Sequence, residues 1–171
     1  MKTVHKKSTN LATQFSEDLA KMLMGRKRHR KKFGGLVWKK NWTLDGGGTV
    51  DVAGIDSQNR ALVLIEAELR REDPASNVVK IWKWAHDKKF RRGCLFIHCF
   101  SKAYRGSKQR ALARARFAAE RMTKEFPRIR YKEVRLGYKP RGRVGAGRRA
   151  HQAKNLGFSV IRLWDAFQKG L

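Results

Sequence analysis

Leu11, Phe15, Leu19 and Met22 recur every three or four positions, the spacing of a helix with one buried face. Polar residues from Ser8 to Asn10 precede this run and Gly25 follows it, so the pattern predicts a helix over 10–24. A short strand over 36–42 comes next. The period then drops to two over 49–55 and 61–70, two segments joined by the polar stretch from Asp56 to Arg60, which predicts a β-hairpin. Asp73 and Pro74 break the chain. Ser76 or Asn77 can cap a helix running to about residue 90, with Val78, Ile81, Trp82 and Ala85 as its buried stripe. Residues 94–100 read as a buried strand and 107–126 as a long basic helix, with Leu112, Ala115, Ala119, Met122 and Phe126 on its apolar face. A strand over 129–136, a flexible basic loop over 140–149, and a tail with a strand over 158–163 and a last helical turn or two complete the reading. There is no internal repeat. The order α-β-β-β-α-β, with a basic helical and C-terminal extension, places the chain in the α/β class.

The hairpin carries the sharpest pattern. With Gln58 and Asn59 as a two-residue turn, Ser57 pairs with Arg60 and Asp51 falls opposite Glu66, their Cβ atoms about 5 Å apart. Glu68 shares the face of Glu66. The other face, with Val50, Val52, Val63, Ile65 and Ala67, is wholly apolar. The carboxylate face is apolar near the turn, at Ala53, Ile55, Leu62 and Leu64, and acidic at its far end. A sheet partly covered by a helix, with a cleft beyond the cover, would show this pattern.

Charge changes the picture next. Against 14 Asp and Glu stand 41 Lys and Arg, a formal net charge of +27. Such an excess points to polyphosphate, because each neutralised phosphate releases condensed counterions. A membrane-surface protein would concentrate its charge on one amphipathic helix, and here the charge runs from end to end. Candidate phosphate contacts are Arg26, Lys27, Arg28, Arg30, Lys31 and Lys32 after the first helix, and Arg70 and Arg71 after the hairpin. Arg105, Lys108 and Arg110 at the long helix start, and Arg141, Arg143, Arg148 and Arg149 in the basic loop, extend the set. With 41% apolar residues, five Trp and nine Phe, the chain can bury a core, and 1–171 reads as one domain. No apolar run reaches the roughly 20 residues of a membrane span. The basic start lacks the apolar segment of a secretory signal. Cys94 and Cys99 point to opposite faces of one strand and do not bridge, which suits a reducing cytoplasm.

Three convergent carboxylates repel one another unless a cation lies between them. Asp and Glu oxygens are the ligands magnesium prefers, and one or two carboxylates with a substrate phosphate form its usual site. The plainer alternative has these acids balancing Arg70, Arg71 and Lys80 on an exposed face. His86 and His98 read as structural histidines, and His29 and His151 as additions to the basic runs. Trp84, among Lys80, Lys83 and Asp87, is either exposed and able to stack on a base or buried against another element. Zinc spacing, a Walker loop and a nucleophile elbow are all missing.

Asp51 followed fifteen residues later by Glu66-Ala67-Glu68, on a hairpin preceded by a helix and followed by a helix and strand, resembles the PD-(D/E)XK nuclease superfamily. The resemblance covers residues 8–100, with 101–171 as a basic extension. It implies a restriction-endonuclease-like αβββαβ core with a mixed central sheet. It further implies that Asp51 and Glu66, helped by the Ala67 carbonyl, hold Mg²⁺ (Mn²⁺ as the alternative) for phosphodiester hydrolysis. Two positions depart from that family: Gly48-Thr49-Val50 replaces the Pro before Asp51, and Glu68 stands where Lys is usual. Glu68 can serve as a further ligand or position water. Lys80 on the next helix can supply the ammonium, although a solvated helix lysine is its plainer reading. Glu17 and Asp18 on the first helix remain unassigned. The expected function is therefore a metal-dependent endonuclease on DNA, with Asp51, Glu66 and Glu68 as catalytic residues. A homodimer would supply two sites for two strands. The alternative is a non-catalytic DNA- or RNA-binding protein.

Overall fold

Among the described residues, five strands lie side by side in the order in which the chain makes them: β1 (Val37–Thr43), β2 (Thr49–Ile55), β3 (Ala61–Glu68), β4 (Cys94–Phe100) and β5 (Ile129–Arg135). The computed structural model describes residues 11–24, 36–44, 47–69, 71–90, 92–137 and 145–170. β1, β2 and β3 pair antiparallel, and β3, β4 and β5 pair parallel. Parallel neighbours need crossovers, and α2 (Ala75–His86) and α3 (Gln109–Glu125) supply them. The fold is α/β with a mixed sheet.

Each face of the sheet has its own core. On one, α1 (Leu11–Met24) and α4 (Ala146–Gln168) pack Phe15, Leu19, Leu23, Leu156, Val160 and Trp164 against Val52, Val63, Ile65, Leu95 and Ile97. On the other, Val78, Ile81 and Trp84 of α2 and Leu112, Ala115 and Met122 of α3 pack against Val50, Ala53, Leu64, Phe96 and Phe100. Burying one such side chain contributes roughly 1.5–3 kcal/mol. Central β4 is buried at every position, as a strand covered on both faces must be. Edge strand β1 buries only its two tryptophans and exposes Lys39 and Lys40, charges that discourage further pairing.

The hairpin keeps the expected pairing by an unexpected route. Val52↔Ile65, Ala53↔Leu64 and Gly54↔Val63 are the pairs the sequence predicts. The turn, however, has three residues. The Asn59 amide donates to the Asp56 carbonyl, the Asp56 amide donates to the Arg60 carbonyl, and Asn59 adopts φ +58°. Three-residue hairpin loops commonly end in such a left-handed residue. That turn sets the register one residue off, at Ile55↔Ala61, and a bulge at Leu62 restores it. Leu62 consequently packs with the α1 face, not with Ala53 and Ile55.

Four other expectations are corrected. Trp84 is the buried tryptophan of α2, at 1% exposure, and Trp82 is only half-buried. α2 begins after Pro74 with no side-chain cap and ends at His86, short of residue 90. Val50 and Val52 face opposite cores, as do Trp42 and Trp38, because β1 turns over at Asn41 (φ +46°) opposite Asp51. The tail forms one helix from Ala146, with no strand over 158–163, and residues 146–149 of the expected loop belong to it. Val160 and Ile161 are β-branched, as strands favour, yet Ala153, Leu156, Val160, Trp164 and Phe167 keep helical spacing on the α1 core. Gly157 permits this contact, since a Cβ there would overlap the Met22 sulfur. Cys94 and Cys99 are free and buried in opposite cores.

Candidate functional site

The β2–β3 ladder runs to Val52↔Ile65 and then opens. Past that point the Asp51 carboxylate takes the place of a ladder carbonyl, its Oδ2 accepting the Ala67 N–H at 2.7 Å. β3 continues alongside β4, with Glu66 beside His98 and Glu68 beside Phe100. Asp51 is thus not laddered with Glu66. Ser16 of α1 lies beside Asp51 and favours its charged form, with the Ser16 hydroxyl donating to the Ala12 carbonyl at 2.9 Å, while Glu66 and Glu68 reach residues of α2.

Asn77 and Lys80 are three apart on α2 and so share the side facing β3. Lys80 Nζ donates to Glu66 Oε1 at 2.5 Å, to the Thr49 carbonyl at 2.6 Å and to Asn77 Oδ1 at 2.9 Å. The reading of Lys80 as a solvated helix lysine is overturned, since its side chain is only 19% exposed. Gly48 (φ +89°) makes room for it: a Cβ there would lie 3.0 Å from Lys80 Cδ and 3.1 Å from the Trp84 ring. Trp84 Nε1 in turn donates to the Gly47 carbonyl.

Asn77 joins the two glutamates. Its Oδ1 accepts from Lys80, and its Nδ2 donates to Glu68 Oε1 at 2.6 Å. Glu68 is buried, and His98 Nε2 reaches the same oxygen at 3.1 Å. Tyr131 Oη lies 3.3 Å from His98 Nδ1. Burial lowers the pKa of His98, which keeps the ring neutral. A neutral ring that donates from Nε2 to a carboxylate has Nδ1 left to accept the tyrosine hydroxyl. The chain Tyr131–His98–Glu68–Asn77–Lys80–Glu66 is therefore consistent in its donors and acceptors.

Burial is the main force on the acids. It pushes Glu66 from its ordinary 4.5 up to about 8; the Asp51 charge adds to the shift and Lys80 opposes it. Asp51 is also raised, first by burial and then by Glu68, while the Ala67 amide opposes. Two neighbouring carboxylates that resist ionisation mark a place where a cation would be welcome. Among the described residues, no three His, Cys, Asp or Glu side chains are grouped to hold a metal. Asp51, Glu66 and the Ala67 carbonyl remain as a donor set, to which a bound phosphate would add oxygens.

Glu17 pairs with Lys40 at 2.8 Å and Asp18 with Arg149 at 2.6 Å, so both carboxylates have partners away from these acids. Arg149 also binds Gln14 at 2.7 Å, tying α4 to α1. Arg71 Nη1 lies 3.4 Å from Asn77 Oδ1. Lys108 pairs with Glu72 at 2.6 Å, and Tyr104 donates to the Arg71 carbonyl at 2.7 Å, which places the start of α3 beside the end of β3. Arg105, Arg110 and Arg148 are exposed. Arg26, Lys27, Arg28, Arg30, Lys31, Lys32, Arg70, Arg141 and Arg143, with His29, lie outside the described residues. His86 is exposed and pairs with Glu125 at 3.1 Å.

Sequence reading missed Ser16, His98 and Tyr131 as neighbours of the acids, and took Asn77 only for a cap. The Asn77–Lys80 spacing was the available signal. No protein-family model, curated protein or solved structure matches this chain.

Proposed function

We propose that the protein is a metal-dependent endonuclease that hydrolyses DNA, built on a restriction-endonuclease-like core. One observation carries this reading: the buried Glu66 carboxylate meets Lys80 where β2 and β3 part, with the half-buried Asp51 near enough for its charge to raise Glu66. The element order and the mixed sheet support it. Asp51, Glu66 and the Ala67 carbonyl would hold Mg²⁺ or Mn²⁺, and the raised pKa values of both acids fit a cation there. When bound, such an ion supplies Lewis-acid charge to a phosphate and makes water a better nucleophile. Lys80 balances Glu66 and brings a second positive charge within reach of a phosphate oxygen. Asn77 fixes the direction of that ammonium, and Glu68, anchored by His98, fixes Asn77. Glu68 is then a positioning residue and not the catalytic residue, as further ligand or water-positioning group, expected from sequence. Action on DNA inside the cell, and as a homodimer where both strands are cut, belongs to the same proposal.

A single observation favours the alternative of a non-catalytic nucleic-acid binder. Lys80 already occupies Glu66, so the acid has a partner without a metal. Cleavage of supercoiled plasmid and branched DNA with Mg²⁺, Mn²⁺ or EDTA separates the two. Metal-dependent nicking that disappears in Asp51→Ala and Glu66→Ala supports the nuclease. Tight, salt-sensitive binding without nicking supports the binder.

A further inference from the structure

We infer that the outward stripe of α3 is a track for single-stranded nucleic acid, with Phe117 as the platform on which an unpaired base stacks. Phe117 is 60% exposed, the most exposed large apolar side chain among the described residues. At about 100° per residue, Arg110, Arg114, Phe117, Arg121 and Lys124 fall within about 80° of arc around the helix, and all five are exposed. The Arg121 guanidinium lies 5.2 Å from the centre of the Phe117 ring, within cation–π range. The two acids of α3 lie just outside this arc, one at each edge. Glu125 accepts from Trp82 and pairs with His86 on α2, and Glu120 lines the groove between α3 and β5.

The buried face of α3 is completed by Ala111, Leu112, Ala115, Ala119 and Met122, so the core makes no use of Phe117. An aromatic ring bordered by four cations matches the two parts of a single strand, a base with a π-face and a phosphate on either side. A duplex offers phosphates but keeps its bases stacked inside. A second copy of this chain, also at +27, would bring like charge against the stripe. The stripe starts at the end of the molecule where Lys108 and Tyr104 tie α3 to the segment after β3. The inference goes beyond the cleavage proposal and holds with or without it.

The test is fluorescence anisotropy of the full chain with a labelled oligothymidylate and with a labelled duplex, in EDTA and over a range of salt. Phe117→Ala should weaken binding to the single strand about tenfold, with an unchanged salt slope and unchanged duplex affinity. Phe117→Tyr should bind as the parent does, and Phe117→Leu should not. Arg114→Ala should lower the single-strand salt slope by about 0.7. The inference is overturned if Phe117→Ala or Phe117→Leu binds the oligothymidylate as tightly as the parent. It is equally overturned if sedimentation shows the parent self-associating and Phe117→Ala monomeric, which would assign the ring to a second copy.

Discussion

The β2–β3 hairpin has a carboxylate–cation pair at each end, and the two pairs behave oppositely. At the turn, Asp56 accepts from the Gln58 and Arg60 amides and from the Arg60 guanidinium, the last at 2.6 Å. Arg60 and these hydrogen bonds outweigh what burial does there and hold Asp56 below its ordinary value. At the open end, Glu66 meets Lys80 at a similar distance, yet burial and the Asp51 charge leave it at about 8. Proximity of opposite charges is common to both. Hydration and the neighbouring acid decide the outcome, because desolvating a carboxylate can outweigh a nearby ammonium. A turn needs only a clasp, whereas a site that takes up a cation needs charge held in reserve.

The sharpest way to break this comparison is to insert one alanine between Val63 and Leu64. With the bulge at Leu62 already taking up one extra residue, the insertion would move Glu66 and Glu68 into the places of Ala67 and Leu69 on the α1 core. Two carboxylates in an apolar core exceed what a marginally stable domain tolerates. The insertion variant is expected to lose cooperative thermal unfolding by circular dichroism; a cooperative transition with parental midpoint would refute a fixed register past the bulge.

Glu66→Gln sharpens the contrast through pH. A carboxyl raised from 4.5 to about 8 stabilises the fold fully below 4.5, and that stability is lost as pH rises toward 8, since the unfolded chain releases the proton first. Denaturant titrations should therefore show Glu66→Gln gaining a few kcal/mol on the parent between pH 4.5 and pH 8. His98 acts in the opposite sense at lower pH, but both proteins carry it. Added Mg²⁺ should raise the parent melting temperature more at pH 8 than at pH 5, and should not raise that of Glu66→Gln.

Asn77→Ala removes the link between Glu68 and Lys80. Loss of a positioning contact is expected to lower cleavage roughly 10- to 100-fold, with the pH profile displaced and Asn77→Asp giving no rescue. An unchanged profile would leave Asn77 a purely structural residue. The smallest effect belongs to the turn. Asp56→Ala should cost less than about 1 kcal/mol, leave cleavage intact, and remove stability that the parent itself loses as pH falls below about 3.9.

The alternation over 49–55 and 61–70 placed both hairpin strands, and the three- and four-residue spacings placed α1, α2 and α3, because these patterns are local. The acids Asp51, Glu66 and Glu68 were legible for the same reason, since they interrupt an otherwise apolar face. Trp84 over Trp82, and helix over strand at residues 158–163, were settled by which neighbours the chain meets, which no short window contains. The turn and the bulge show the limit most clearly. A two-residue turn and a three-residue turn with one bulge give the same pairing, so the pattern set the register without revealing how it is reached. By itself, then, the sequence determined the hairpin strands, the pairing of Val52, Ala53 and Gly54, the acids and the charge. Only the tertiary structure decided that Lys80 leaves solvent for Glu66, that Asn77 and His98 hold Glu68, and that Phe117 stays outside. Those outcomes depend on burial, and burial is a property of the packed chain, not of any residue in it.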